Sequence, residues 1–275
     1  MKRDEPARHY RRFLTKWSQM ASFAKESVNV VISPHMDDVF LSLYRHIVSG
    51  SLGSNIVGIN IFSLTDSRVD TNTGTSFRSV RATSLERMKE EIAFSDHLAD
   101  KGIDYIPAFV GVKDAALYSY YQFIASRHIG KLGAVARKPY DRYIAARYAK
   151  IGIDSIIQPI LKQYGRSVAN IVVPLGIGDH IDHMMLRRST IKAEAPRLGM
   201  FCDMPYTYQY GFDTVEKLRA AAPTGYNEYT VRKGDAAQKA RAFARLFPSQ
   251  SDRKTERLIL GAERATGEVV FWYNL

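Results

Sequence analysis

A histidine and two adjacent aspartates, residue types that bind metal ions and move protons, follow an apolar run at residues 28–32. They are His35, Asp37 and Asp38, in the stretch SPHMDD. Side chains at positions i and i+3 share one face at the start of a helix, so His35 and Asp38 can reach a single ion, with Asp37 close to its bound water. A divalent cation would offset the repulsion between the paired carboxylates. In the alternative interpretation, Asp37 or Asp38 only caps a helix that starts near Val39.

A second cluster of the same residue types follows a later apolar run. Residues 170–183 read NIVVPLGIGDHIDH and carry Asp179, His180, Asp182 and His183. If both runs are strands of one α/β sheet, their ends can converge, and together they offer two histidines and an aspartate as ligands, plus spare carboxylates. Three such ligands with an open fourth position are typical of catalytic zinc, whereas a structural zinc would want four ligands and usually several cysteines. In the alternative, these histidines only cap a helix or pack in the core.

Strand and helix patterns alternate along the chain that carries these clusters. The predicted strands lie at residues 28–32, 56–64, 105–110, 170–175 and 268–273. The predicted helices lie at residues 39–47, 84–99, 141–149, 153–163 and 235–246. Nearly continuous Val and Ile runs suit strands that are covered on both faces. The pattern predicts an α/β fold, a Rossmann-like and mostly parallel sheet flanked by helices, with a C-terminal elaboration. No Gly/Ser/Pro-rich linker divides the chain, so we expect residues 1–275 to form a single domain.

Composition narrows the function classes. The 275 residues carry a net charge of +11, but the basic residues are scattered and match no RRM, zinc-finger or basic-zipper pattern, so we expect no nucleic-acid partner. No apolar run reaches the ~18–20 residues of a membrane helix. The basic N-terminus lacks the apolar region of a secretory signal, which predicts a cytoplasmic protein with no membrane partner. The single cysteine, Cys202, excludes an internal disulfide framework.

The stretch SPHMDD, followed far downstream by DHIDH, resembles the LmbE/PIG-L family of zinc-dependent N-deacetylases, which includes deacetylases of N-acetylglucosamine. Members of this family carry a PHxDD-type motif after the first strand and an HxDH motif after a later one. Weaker matches are the pair Thr65-Asp66, the RxxE pattern that runs from Arg87 to Glu90, and Asp114. The resemblance covers residues 28–190 and implies a Rossmann-like deacetylase fold.

The resemblance also implies an activity, the hydrolysis of an N-acyl group, typically N-acetyl, on an amino sugar, with one Zn²⁺ per chain. The implied metal ligands are His35, Asp38 and His183. Among the implied catalytic residues, Asp37 is the general base, His180 protonates the leaving amine or stabilises the intermediate, and Asp182 or Asp179 holds His180. The implied substrate-binding residues are Arg87 and Asp114. For Arg87 the alternative is a helix-surface pair with Glu90, and for Asp114 it is a turn or cap.

Other functional interpretations of the same residues stay open. Some family members place an oxyanion-holding tyrosine where this chain has Gly178, so that task falls to zinc, His180 or another group. The spare carboxylates leave room for a two-metal phosphoester hydrolase. A non-catalytic relative that binds an N-acylated sugar is a third class, and a homo-oligomer is compatible with the sequence.

Overall fold

One sheet organises the chain. The computed structural model describes residues 27–66, 79–118, 145–146, 148–150, 152, 155, 168–178, 180–190, 197–226 and 228–273. Within these residues, seven strands form a sheet in the order β3-β2-β1-β4-β5-β7-β6. The strands are β1 (Val28–Ser33), β2 (Asn55–Asn60), β3 (Asp104–Phe109), β4 (Val168–Pro174), β5 (Leu198–Phe201), β6 (Glu228–Arg232) and β7 (Glu268–Tyr273). The first five are mutually parallel, while β7 runs antiparallel to both β5 and β6.

Helices cover both faces of this sheet. They are α1 (Asp38–Val48), α2 (Val80–Ala99), α3 (Ile181–Thr190), α4 (Tyr206–Gln209), α5 (Val215–Ala221), α6 (Ala236–Leu246) and α7 (Arg253–Ala265), with short 3₁₀ turns at Ala115–Tyr118 and Pro248–Gln250. The predicted α/β fold with a mostly parallel sheet is therefore confirmed. The predicted helices at residues 141–149 and 153–163 lie largely outside the described residues.

The alternation of side chains along β1 explains why the sheet is buried on both sides. Val30 and Ile32 belong to one apolar cluster, together with Leu186 of α3, while Val31 belongs to the other cluster, together with Phe40 of α1. Because successive side chains of a strand point to opposite faces, a continuous apolar run is what a doubly covered strand requires.

The strand order creates a switch point beside β1. From β1 the chain moves to β2 and β3 on one side, and then returns to β4 and β5 on the other. Val31 of β1 pairs with Gly58 of β2 and with Val172 of β4. In open α/β sheets, ligands bind at the carboxyl ends of the strands where the order reverses. The two motifs follow β1 and β4, so both lie at this point.

The C-terminal elaboration joins the same sheet and braces α1. Lys239 of α6 is fully buried, and its Nζ donates to Glu263 Oε1 at 2.7 Å, to Glu268 Oε1 at 2.5 Å and to the carbonyl of Leu41 in α1 at 2.6 Å. Glu268 Oε2 accepts from the backbone N–H of Arg45, also in α1, at 2.7 Å. A buried ammonium is tolerated when carboxylates and carbonyls satisfy it in this way. The network ties the last strand to the helix that carries Asp38.

The predicted single domain over residues 1–275 stays a prediction, because residues 1–26 lie outside the described part of the chain. None of the helices described is both long and apolar enough to cross a bilayer.

Candidate metal centre and active site

The turn after β1 presents His35 and Asp38 to the same side. Ser33 Oγ donates to the carbonyl of His35 at 2.8 Å, and the backbone N–H of His35 donates to Asp38 Oδ2 at 2.9 Å. Asp37 occupies the N-cap position of α1, yet its side chain makes no capping hydrogen bond. The capping alternative for Asp37 is therefore not what the structure shows.

Two histidines converge on the Asp38 carboxylate. Asp38 Oδ2 lies 3.2 Å from His35 Nδ1 and 3.6 Å from His183 Nε2. One donor atom from each of the three residues lies within 4.8 Å of the others. Ligands held ~2.0–2.2 Å from a tetrahedral ion are separated by roughly 3.3–3.6 Å. The spacing of this group, which we call the His–Asp–His group, therefore fits one small divalent cation.

Asp203 fixes the orientation of His183. Asp203 Oδ1 lies 2.6 Å from His183 Nδ1, and Oδ2 accepts from the backbone N–H of Ile177 at 2.8 Å. A carboxylate only accepts, so Nδ1 of His183 carries the proton and Nε2 presents a lone pair. This Nε2 is buried and has no hydrogen-bond partner. A lone pair that faces a carboxylate oxygen without a proton between them is unfavourable, and a cation removes that conflict.

Asp182 holds His35 and not His180. Asp182 Oδ2 lies 3.0 Å from His35 Nε2 but 4.0 Å from His180 Nδ1, which is beyond hydrogen-bond range. The same carboxylate accepts from the hydroxyl of Tyr148 at 2.5 Å and from the backbone N–H of Ala115 at 3.0 Å. The predicted partner of Asp182 is thus corrected from His180 to His35, because β1 and β4 are neighbours and bring those two side chains together.

The charge balance of the site calls for a cation. Burial alone would lower the pKa of His35 and His183, but Asp38, Asp182 and Asp203 outweigh burial and raise both values above the ordinary one. Burial would likewise raise the pKa of Asp38, but the two imidazoles hold that pKa well below its usual range. Surplus negative charge draws protons onto the ligands when no metal neutralises it. A divalent cation would supply that charge directly.

A second group of donor atoms overlaps the first. His35, His180 and Asp182 also lie close enough to hold an ion. A neutral imidazole has one ring nitrogen with a free lone pair, so His35 cannot ligate through Nδ1 and through Nε2 at once without losing its remaining N–H proton to become a bridging imidazolate. Nε2 already bonds to Asp182. Within the described residues, the two groups therefore provide a site for one ion, and we assign it to the His–Asp–His group.

His180 stands at the open side of this group. Its side chain is 37% exposed, and its Nδ1 is buried without a hydrogen-bond partner. Its ring lies edge-on to His35, with centroids 5.4 Å apart. Burial of the ring lowers the pKa of His180 to about 3. The neutral ring can donate one N–H to a bound molecule. Asp179, the other candidate support for this histidine, lies outside the described residues.

Arg87 contacts the carboxylate of Asp37. The guanidinium Nη2 of Arg87 donates to Asp37 Oδ1, and the arginine side chain is only 4% exposed. Glu90 is not its partner, because both Glu90 oxygens accept from Ser249, through its N–H at 2.7 Å and its hydroxyl at 2.6 Å. The paired carboxylates of the first motif are thus separated, with Asp37 turned to Arg87 and Asp38 to the histidines. Substrate binding by Arg87 stays a prediction.

Asp114 makes the contacts of a turn cap. Its Oδ1 accepts from the backbone N–H of Leu117 at 3.0 Å, at the start of a 3₁₀ turn, and the residue is 3% exposed. Burial raises the pKa of this carboxyl. These contacts match the turn or cap alternative, and substrate binding by Asp114 stays a prediction.

Three residues of the site were missed from the sequence. They are Tyr148, which bonds Asp182, Asp203, which bonds His183, and Tyr206, whose ring lies 5.7 Å from that of His183. Asp203 and Tyr206 follow β5, a strand of four residues that is too short to stand out as a pattern. A polar residue after the apolar run LGMF was the only available signal.

The fold of this chain is similar to that of solved deacetylase structures. No family model matches the sequence, and no match was found among curated proteins. Among solved structures, the deacetylase–teicoplanin complex from the teicoplanin biosynthesis pathway aligns with a TM-score of 0.57 at 16% identity, covering 90% of this chain and 99% of that chain.

Two further solved structures of deacetylases have a similar fold. The zinc-inhibited form of teicoplanin deacetylase Orf2 aligns with a TM-score of 0.55 at 17% identity, and the A40926 pseudoaglycone deacetylase Dbv21 with 0.50 at 18%. In both comparisons, the alignment covers 90% of this chain and 97% of the other. The fold expected from the motif resemblance is therefore confirmed.

Proposed function

We propose that this protein is a zinc-dependent hydrolase that removes an N-acetyl group from an amino sugar or its glycoside. The observation that carries the proposal is the buried, unpartnered Nε2 of His183, which faces Asp38 beside His35. The resemblance of both motifs to zinc-dependent N-deacetylases supports the reaction, and the deacetylase fold agrees with it.

The residues that would hold the zinc ion are His35, Asp38 and His183. Two nitrogens and one carboxylate oxygen form the donor set of a catalytic zinc, which keeps a position open for water or substrate. When bound, the ion would act as a Lewis acid toward a water molecule and toward the acyl oxygen. Asp182 and Asp203 orient the two histidines through their other ring nitrogens, as carboxylates commonly do for zinc ligands.

Asp37 would accept the proton of the attacking water. It is adjacent in sequence to Asp38, and its side chain is 15% exposed, so water can reach the carboxylate. Arg87 holds Oδ1, which leaves Oδ2 for the proton. Once protonated, the carboxyl can pass this proton to the leaving amine, as a group that acts first as base and then as acid.

His180 would donate a hydrogen bond to the substrate at the open side of the site. Its ring is neutral, so it contributes an N–H dipole rather than a full charge. A donor aimed at the acyl oxygen stabilises the negative charge that develops there when water adds to the carbonyl. In this proposal His180 takes the second of its two predicted roles, stabilisation of the intermediate, and Asp37 protonates the leaving amine.

The two-metal phosphoester alternative is less well supported. Two-metal sites hold their ions ~3.5–4 Å apart with separate ligand sets. Here the second donor group shares His35 with the first, and the spare carboxylates of Asp37 and Asp182 are engaged by Arg87, His35 and Tyr148.

Elemental analysis paired with acetate release tests the proposal. The purified protein is stripped with a chelator, reloaded with zinc and assayed with a panel of N-acetylated amino sugars and their glycosides. We expect about one zinc per chain and zinc-dependent release of acetate. The matched control is His183→Ala, which should bind little zinc and release no acetate.

Two outcomes would contradict the proposal. One is two tightly bound metals per chain together with phosphatase activity, which would favour the phosphoester hydrolase. The other is a zinc-loaded protein that binds N-acetylated sugars and leaves them intact, which would favour a non-catalytic binding protein.

A further inference from the structure

The segment that follows β5 forms one wall of the site. Asp203 bonds His183 from this segment, and Tyr206 opens the short helix α4 three residues later. The Tyr206 ring packs against both histidines of the motif that follows β4, with ring centroids 6.3 Å from His180 and 5.7 Å from His183. Its ring therefore lies beside a metal ligand and beside the histidine at the open side of the site.

The hydroxyl of Tyr206 is available to a bound molecule. No described residue hydrogen-bonds to it, and it is not among the buried side-chain atoms that lack a partner, so it remains open to solvent. The phenol of a tyrosine has an ordinary pKa of about 10, so the hydroxyl keeps its proton at neutral pH and can donate a hydrogen bond.

Position 178, in the described part of the loop before His180, has no side chain that could do the same. Gly178 has a φ of +83°, and a Cβ at this position would collide with the ring of Tyr210. Tyr210 in turn lies 6.4 Å from Tyr206, centroid to centroid. The space that a side chain at position 178 would occupy is thus filled by an aromatic ring from the segment after β5.

We infer that the Tyr206 hydroxyl donates a hydrogen bond to the acyl oxygen of the substrate and stabilises the negative charge that develops there. The inference rests on the proposed hydrolysis and deepens it by naming a catalytic residue outside both motifs. The ring that carries this neutral O–H packs against His180 and His183, and a donor fixed in place needs no reorganisation when the charge appears, which is the condition for effective oxyanion stabilisation.

Tyr206→Phe is the direct test, because it removes the hydroxyl and keeps the ring that packs on the two histidines. We expect kcat for acetate release to fall by about 10²- to 10³-fold, the cost of one oxyanion donor. KM, zinc content and the thermal midpoint of unfolding should stay near wild type. Tyr210→Phe is the matched control, since it removes a hydroxyl from the neighbouring ring, which is 48% exposed, and should keep wild-type kcat.

Several results would overturn the inference. A Tyr206→Phe protein with wild-type kcat would exclude the hydroxyl from the reaction, and a loss of zinc or of thermal stability that accounts for lost activity would make Tyr206 a structural residue. An equal fall of kcat in Tyr210→Phe would also contradict it. If the zinc-loaded wild type releases no acetate, the proposed function fails as well; if the wild type is active and Tyr206→Phe is unaffected, only this inference fails.

Discussion

Asp203→Asn tests whether the carboxylate behind His183 sets the metal affinity of the site. The carboxylate accepts two hydrogen bonds, one from His183 Nδ1 and one from the backbone N–H of Ile177. An amide of the same size has one acceptor oxygen and one donor group. Whichever way the amide lies, one of the two donors loses its acceptor. If the oxygen serves Ile177, His183 shifts its proton to Nε2 and no longer offers a lone pair to the ion.

The expected loss of zinc affinity in Asp203→Asn follows from the number of contacts that change. One hydrogen bond to a ligating histidine is lost, while His35, Asp38 and the position of the His183 ring are retained. Loss of such a carboxylate partner weakens metal binding by about 10- to 100-fold, which corresponds to about 1.4–2.7 kcal/mol. Asp203 is 1% exposed, so water cannot replace the lost acceptor without opening the site.

Competition between the protein and a chromophoric zinc chelator at fixed neutral pH measures this affinity. The control is Asp213→Asn, which removes an aspartate whose only ion pair in the described residues is an exposed contact with Lys217 at 2.6 Å. It should leave zinc affinity unchanged. The free energy of unfolding of the zinc-free variants is measured in parallel, so that a folding defect is separated from a binding defect.

Asp203 does not set the zinc affinity if Asp203→Asn binds zinc as tightly as the wild type while His183→Ala loses it. His183 would then be a ligand whose proton position does not depend on Asp203. Unchanged zinc affinity in both variants would show that His183 is not a metal ligand.

Three further changes probe the rest of the site, and a fourth probes a buried carboxyl outside it. Asp37→Asn should keep zinc and fold but lower kcat by about 10²- to 10⁴-fold, the worth of a positioned base, and near-full activity would assign the proton to another group. Arg87→Lys should keep zinc and lower kcat by up to about 10²-fold, because the point charge of lysine holds the Asp37 carboxylate less well than the guanidinium of arginine does. A change in KM alone would instead favour substrate binding by Arg87. Chelation should abolish acetate release, and zinc should restore it in the wild type but not in His183→Ala. Burial raises the pKa of Glu91 to about 8 from an ordinary value of 4.5. The folded state therefore keeps a proton that the unfolded chain loses, and the free energy of unfolding should fall as pH rises between those values. Glu91→Gln, which imitates the protonated form, should make that slope smaller in denaturant titrations; an unchanged slope would show that Glu91 does not contribute to it.

Local patterns were enough to predict the frame of the molecule. The apolar runs of β1 and β4 are strands because runs dominated by Val and Ile suit a sheet that is covered on both faces. β7 spans Glu268–Tyr273, the range that the sequence predicts. The i,i+3 spacing of His35 and Asp38 brings their side chains together through a single turn of backbone, and the structure places them 3.2 Å apart. Such features depend on residues close together in the chain.

Other helices and strands have too weak a local sequence pattern to be predicted. β5 is four residues long, and the residues of β6 are only partly buried or exposed, so neither strand shows the continuous apolar run of the inner strands. Helix α7 lies beside α6 and α4, and these long-range contacts are not visible in the local pattern.

The sequence by itself determined the types of residue at the site and the edge of the sheet on which they meet. Only the tertiary structure decided their partners. Asp182 bonds His35 across 147 residues, Arg87 bonds Asp37 across 50, and Asp203 bonds His183 across 20. Each of these pairs depends on which strand lies next to which, and the order β1-β4-β5 is set by the packing of two apolar layers on the sheet. A hydrogen bond acts over about 3 Å, so a residue's type predicts the chemistry it is capable of, while its partner is known only when the strands are placed.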